Sequence, residues 1–240
     1  MKNIAIIFAG GTGQRMGAGL PKQFIEVYGK PIIIHTLDIF EECESIDEIY
    51  IACKADYINK LNKLIKRFDI SKVKKVVPGG NTGQDSIYNA CKAAYENNDH
   101  AFVLIHDGVR PCIDSDLIKQ NIKMAEEKGN AVTCTAMYET PIVSTGGLAV
   151  EDTPPRKDYY TAQAPQTFEI SEVIAAHEEI RKTNPGYDGI IDTCTLMKHL
   201  GKTVNILPGA RGNIKLTTPE DLYIFKAMLD YRTTEHALGI

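Results

Sequence analysis

The sequence predicts an α/β fold: a mostly parallel sheet covered by helices on both faces. Apolar strand-like segments alternate with amphipathic helix-like segments from residue 3 to residue 136, the pattern left by parallel strands joined through helical crossovers. A glycine-rich turn, Gly10-Gly11-Thr12-Gly13, follows the first apolar strand directly, where such sheets bind ligands. At 240 residues the chain is long enough to bury a sizeable core, and one domain over residues 1–240 is expected.

The elements follow in order. Asn3–Ala9 is an apolar strand. Pro31–Glu41 reads as a helix, with Pro31 suited to its first turn. Glu48–Cys53 is a strand, and Asp56–Arg67 is a helix with Ile58, Leu61, Leu64 and Ile65 on one face. Lys74–Val77 is a short strand, Asp85–Glu96 a helix, Ala101–Ile105 a strongly apolar strand, Asp116–Lys128 a helix and Ala131–Ala136 a strand. The alternation then breaks. Residues 139–163 carry polar alternation, Gly146-Gly147 and Pro154-Pro155, which predicts an extended β-arm leaving the main sheet. Helical pattern returns at Ser171–Lys182 and Asp192–Leu200, and Thr203–Leu207 is a strand. Thr218-Pro219-Glu220-Asp221 opens a final helix, with threonine as N-cap, proline in the first turn and acids at the positive end of the helix dipole. That helix is expected to run to about Tyr231 before a frayed tail.

Composition narrows the function. A net charge of −4 and a pI near 5.9 argue against nucleic-acid binding through phosphate contacts. No apolar run is long enough for a bilayer, and no basic-then-apolar leader is visible, so a cytoplasmic location without membrane contact is expected. The cysteines lack C-x-x-C pairs and the histidines lack metal-ligand spacing, which fits free thiols in a reducing compartment.

The glycine turn offers backbone N–H groups to phosphate oxygens, and Arg15 and Lys22 bring two cations to the same place. A nucleoside triphosphate is the simplest polyanion for it. The chain has no Gly-Lys-Ser or Gly-Lys-Thr run, so it is not a P-loop. From Gly11 the spacing to Gly17 is one residue too long for a dinucleotide fingerprint, and no acidic residue ends the next strand. Three further clusters also fall at predicted strand ends: Gly79 to Ser86, His106 to Pro111, and Arg211 to Lys215. Ligands of open α/β sheets bind outside the carboxyl ends of the strands, so all four clusters point to one crevice.

Together these stretches resemble the CTP:polyol-phosphate cytidylyltransferases, the family of methylerythritol 4-phosphate and ribitol 5-phosphate cytidylyltransferases. The resemblance rests on Ala9-Gly10-Gly11-x-Gly13-x-Arg15-Met16-Gly17, Leu20-Pro21-Lys22-Gln23-Phe24, His106-Asp107-x-x-Arg110-Pro111, Gln163-Ala164-Pro165-Gln166-Thr167-Phe168 and Asn213-Ile214-Lys215-x-Thr217. It implies a Rossmann-like nucleotidyltransferase that uses CTP, Mg²⁺ and a polyol phosphate, and a homodimer formed through the arm. Arg15, Lys22 and Lys215 would be catalytic. Ala9, Gly10, Gly11, Thr12, Gly13, Gly80, Asn81, Gln84, Ser86 and Asp107 would bind the nucleotide. Arg110, Thr140, Arg156 and Asp192 would bind the acceptor, with Arg156 acting in trans. Mg²⁺ would be held mostly by CTP phosphates, with Asp107 as the protein ligand.

Some positions depart from the family pattern. Gly83 stands where an arginine is common, Ile191 where a threonine precedes the aspartate, and Ala164 where the methylerythritol branch usually has threonine. The arm, with Pro155-Arg156 and Tyr159-Tyr160 ahead of Gln163, looks more like the ribitol branch. D-Ribitol 5-phosphate is therefore the expected acceptor, giving CDP-ribitol for teichoic-acid or capsule synthesis. The alternatives are 2-C-methyl-D-erythritol 4-phosphate, on the isoprenoid route, and a CTP-binding module without turnover.

Overall fold

A computed structural model of the chain describes residues 1–10 and 20–238, with side chains as far as residue 234. Gly11, Thr12, Gly13 and Arg15 lie outside the described residues. The elements are β1 (Lys2–Ala9), β2 (Glu26–Val27), β3 (Lys30–Pro31), α1 (Ile32–Glu42), β4 (Glu48–Cys53), α2 (Ile58–Arg67), β5 (Val73–Pro78), α3 (Gly83–Tyr95), β6 (Ala101–Asp107), α4 (Ser115–Lys128), β7 (Asn130–Ala136), β8 (Tyr160–Glu169), α5 (Ile170–Thr183), α6 (Thr193–His199), β9 (Ile206–Pro208) and α7 (Pro219–Leu238). Seven strands form one sheet in the order β5-β4-β1-β6-β8-β7-β9. Only β8 runs antiparallel to its neighbours in that sheet.

Strand alternation sends successive side chains to opposite faces. Ile4 and Ile6 pack with Ile87, Val173 and Leu196 beneath α3, α5 and α6. Ala5 and Ile7 pack with Leu37, Leu61 and Ile118 beneath α1, α2 and α4. With both faces covered, β1 is apolar along its length rather than alternating, which is why it was legible as a run.

The register decides where the site lies. Phe8 pairs with Ala52 and with Asp107, and Cys53 pairs with Ala9 and with Pro78. The four parallel strands therefore end at one level, and the turns that begin at Gly10, Gly79 and Gly108 meet there. A Cβ on Gly108 would stand 3.1 Å from the Ala9 Cβ, a tight contact that one of the two would have to relieve by a few tenths of an ångström.

The structure corrects three expectations. The arm ends earlier than residue 163: Tyr160, Thr161 and Ala162 pair with Ala136, Thr135 and Cys134, as the first half of β8. The second half of β8, with Gln163, Gln166 and Thr167 buried, lies between β6 and β7. Its polar residues hide it from a hydrophobicity reading, yet partners satisfy them, as when Gln166 donates to Asp192 at 2.8 Å. Second, β6 extends through His106 and Asp107, so the aspartate sits on a strand rather than in a loop. Third, α7 runs to Leu238. Its start is held by the Asp221 carboxylate, which accepts from the Thr217 and Thr218 amides at 2.6 and 2.7 Å.

Two buried histidines make the fold acid-sensitive. Burial lowers the His106 pKa from 6.5 to about 4 and that of His177 from 6.5 to about 3. Between about 6.5 and 4 the unfolded chain binds more protons than the native one, so unfolding free energy rises with pH across that window. Urea denaturation midpoints are expected to fall as pH is lowered from 6.5 towards 4, at up to about 1.4 kcal/mol per pH unit for each histidine. Midpoints that stay level over that range would contradict this.

Candidate active site

A cavity of about 400 Å³ opens at the carboxyl ends of β1, β5 and β6, lined by Phe8, Ala9, Gly10, Lys22, Gln23, Gly80, Asn81, Thr82, Gly83, Ser86, Asp107, Val109 and Lys215. Its floor is the turn into α3. Thr82 caps that helix: its hydroxyl accepts from the Asp85 amide at 3.0 Å, and Asp85 accepts from the Thr82 amide at 3.1 Å. The Ser86 hydroxyl accepts from the Gly80 amide at 3.1 Å and donates to the Thr82 carbonyl at 3.0 Å. Gly80 lies so close to the helix that an added Cβ would come within 2.1 Å of the Asp85 Cβ. Only glycine fits there without moving the turn. The positive end of the α3 dipole, at Gly83, faces the cavity.

On the opposite wall, Lys22 and Gln23 begin a short 3-10 turn. The buried Gln23 amide donates to the Ala9 carbonyl at 2.8 Å, tying that turn to the end of β1. Lys22 Nζ donates to the Leu216 carbonyl at 2.9 Å.

Asp107 is the electrostatic centre. One carboxylate oxygen accepts from Arg110 Nε at 3.0 Å and the other from Lys215 Nζ at 2.6 Å. Burial opposes its ionisation, but the Lys215 ammonium and the Arg110 guanidinium outweigh that and hold the carboxyl below its ordinary range. Arg110 also donates to the Asn213 carbonyl at 2.7 Å, and the Asn213 amide donates to the Ala164 carbonyl at 2.7 Å. The cluster thus joins β6, β8 and the segment after β9. His106 is neutral and inward-facing. Its Nε2 lies 3.0 Å from the Arg110 carbonyl, so that nitrogen carries the proton and donates.

A second cavity, of about 270 Å³, adjoins the first and shares Phe8, Gly83, Asp107 and Lys215 with it. Its other walls come from Ile87, Ile105, Arg110, Ala162, Gln163, Ala164, Gln166, Ile191, Asp192 and Thr193. Asp192 caps α6, accepting from the Thr195 amide at 2.8 Å, while its second oxygen takes the Gln166 amide. Among the described residues, the buried Thr193 hydroxyl has no hydrogen-bond partner.

Residues 3–231 match the family described as IspD, 2-C-methyl-D-erythritol 4-phosphate cytidylyltransferase. The chain belongs to this family. It is 43% identical to a ribitol-5-phosphate cytidylyltransferase of Streptococcus agalactiae serotype III, with 99% of this chain and 100% of that one covered. It is 39% identical to a 2-C-methyl-D-erythritol 4-phosphate cytidylyltransferase of Clostridium botulinum (strain Loch Maree), with 97% and 99% covered. Among solved structures, the 4-diphosphocytidyl-2C-methyl-D-erythritol synthase of Anaerococcus prevotii superposes with a TM-score of 0.82 at 28% identity, over 95% of this chain and 96% of that one.

For a cytidylyltransferase, the structure gathers most of the expected residues. Ala9, Gly10, Lys22, Gly80, Asn81, Ser86, Asp107 and Lys215 line the first cavity, and Arg110 and Asp192 line the second. Gln84 does not join them. Expected at the nucleotide, it is buried in the first turn of α3 and lines neither cavity. Thr140 and Arg156 also line neither. Thr140 is exposed at the arm base, and Arg156, also exposed, donates to the Tyr138 carbonyl at 2.8 Å. Gln23, Thr82, Gln163, Gln166 and Thr193 also line the cavities, although the resemblance assigns them no role. The first four flank or fall within the glycine and glutamine motifs, which was the available signal; Thr193 had none beyond adjacency to Asp192.

Replacing Asp107 by Asn would leave the Arg110 guanidinium, only 10% exposed, without its counter-charge. The Asp107→Asn variant is expected to lose about 3 kcal/mol of unfolding free energy, read by urea denaturation at pH 7. A loss below about 0.5 kcal/mol, the range of ordinary surface changes, would contradict the central place given to this carboxylate.

Proposed function

We propose that the chain transfers the cytidylyl group of CTP to D-ribitol 5-phosphate, releasing pyrophosphate and CDP-ribitol. The observation that carries this reading is the pair of adjoining cavities that share Lys215 and Asp107. The first has a helix N-terminus, a glycine turn and two lysines, which suit a triphosphate. The second has glutamine, threonine and carboxylate groups for hydroxyls, and Arg110 for a phosphate.

A phosphate monoester oxygen attacks the α-phosphorus, and pyrophosphate leaves in line. The attacking group is already anionic near pH 7, since its second pKa is about 6. No general base is needed, which accords with the inward-facing, neutral His106. Catalysis then rests on positioning and charge neutralisation. Lys215, common to both cavities, sits where the two substrates would meet. Lys22 would neutralise phosphate charge from the opposite wall, and Arg15 would add a third cation. Backbone groups of Ala9, Gly10 and Gly80, with the Ser86 hydroxyl, would read cytosine.

Mg²⁺ fits this donor set through one protein ligand. Among the described residues no cluster of three metal-ligating side chains exists, and Asp107 is the carboxylate at the first cavity. A hard divalent cation held by one carboxylate and several phosphate oxygens is the usual arrangement for nucleotide-bound magnesium. Bound there, it would withdraw charge from the phosphates.

A homodimer through the arm is part of the reading. Leu148 is 97% exposed, and Ile142 and Val150 are each 58% exposed. Thr140 and Arg156, idle at their own cavities, would serve those of a second copy.

The acceptor choice draws on the 43% identity to the streptococcal ribitol-5-phosphate enzyme, and on Ala164 and Ile191 at the second cavity. The alternative acceptor, 2-C-methyl-D-erythritol 4-phosphate, draws on the family match and the clostridial relative. Pyrophosphate release from CTP and Mg²⁺ is expected with ribitol 5-phosphate, at a kcat/KM at least about tenfold above that with the methylerythritol acceptor, a gap of about 1.4 kcal/mol. The reverse preference would move the chain to the other branch, and silence with both while CTP binds would favour a module without turnover. The Lys215→Ala variant is expected to lose roughly a hundredfold or more in kcat with an unchanged far-UV spectrum. Turnover at the unaltered rate would remove Lys215 from the mechanism.

A further inference from the structure

Behind the nucleotide turn lies a charged group that touches neither cavity. Arg181, on α5, reaches across to α3 and forms an ion pair with Asp85 Oδ1. Its Nε donates to the Tyr187 hydroxyl at 2.9 Å, and its guanidinium lies 4.2 Å from the centre of the Tyr88 ring. The Tyr187 hydroxyl also meets His177 Nδ1 at 2.8 Å, inside the core. The arginine is thereby fixed on two sides, in a plane set by an aromatic face, rather than left as a loose surface cation.

The two oxygens of Asp85 divide their work. Oδ1 takes Arg181. Oδ2 accepts from the Thr82 amide at 3.1 Å and the Thr82 hydroxyl at 3.0 Å. Thr82 is the N-cap of α3 and part of the wall of the 400 Å³ cavity. Gly80 presses on the same aspartate, since its absent Cβ would fall 2.1 Å from the Asp85 Cβ. A rotation of the Asp85 side chain would break its Oδ2 bonds to Thr82 and so release the Gly80–Thr82 turn, which lines the proposed nucleotide cavity. Arg181 opposes that rotation by holding the other carboxylate oxygen, Oδ1.

We propose that Arg181 is a positioning residue for the nucleotide, acting through Asp85 on the Gly80–Thr82 turn. This rests on the reading of the first cavity as the CTP site. The turn contacts nucleotide in both ground and transition states, so loosening it weakens binding uniformly and leaves the chemical step intact. The effect is confined to CTP because the second cavity takes neither Gly80 nor Thr82.

The test compares Arg181→Met, Arg181→Lys and Tyr187→Phe with the unaltered chain, by CTP titration calorimetry, steady-state kinetics and thermal melting. Arg181→Met is expected to raise KM and Kd for CTP about tenfold, with kcat and acceptor KM unchanged. Arg181→Lys keeps a cation for Asp85 and should recover about half of that loss on a logarithmic scale. Tyr187→Phe removes one of the contacts that fix Arg181 but keeps the Asp85 pair and the Tyr88 face, so it should lower the melting temperature and raise KM for CTP by less than about twofold. A purely structural arginine would give lower melting temperatures in both Arg181→Met and Tyr187→Phe with CTP affinity unchanged, and that result would overturn the proposal. A fall in kcat alone, or an equal rise in both KM values, would overturn it as well. Failure of the unaltered chain to bind CTP would instead overturn the reading of the cavity, and this proposal with it.

Discussion

The site depends on a single buried carboxylate. Asp107 ends β6 in register with Phe8 of β1, and its two oxygens hold Arg110 and Lys215. Burying an anion is costly unless its charge is matched and its lone pairs are taken. Here the compensation comes from two cations that both line the second cavity, Lys215 lining the first as well. Arg110 carries the connection onward to the chain after β9, and Lys215 arrives from that same segment. One constraint thus aligns a strand end, a remote loop and the lysine at the junction of the two cavities.

The other wall is organised by a different economy. The shape of its turn requires a side chain to be absent at Gly80 and hydroxyls to be present at Thr82 and Ser86. The capping box that starts α3 therefore shapes the turn as well as the helix. Oriented backbone amides need little reorganisation when an anion arrives. A rigid peptide wall facing a lysine-bearing wall suits a reaction that requires charge neutralisation and alignment but no proton acceptor.

Much of this was legible in the sequence, for physical reasons. Parallel strands buried on both faces read as apolar runs, so β1, β4 and β6 stood out, and glycine clusters marked the turns that follow β1 and β5. Because ligands of α/β sheets bind at the carboxyl ends of the strands, Lys22, Gly80, Asp107 and Lys215 belong to one crevice on sequence position alone. The central antiparallel strand β8 escaped because Gln163, Gln166 and Thr167 are polar and buried, stabilised by partners distant in sequence. The same limit hid Gln23 and Thr193, and nothing in the sequence marked Gln84 as buried and absent from both cavity linings. Helix phase, not motif membership, decides which of two adjacent residues faces a cavity.

The most direct measurement is a crystal structure of the chain with CTP and Mg²⁺. The account predicts the triphosphate in the 400 Å³ cavity, with Lys22 and Lys215 on its oxygens, cytosine against Gly80 and Ser86, and the Asp107–Arg110 pair intact beneath. A nucleotide bound elsewhere, or bound in this cavity with Lys215 turned away from the α-phosphate, would contradict it.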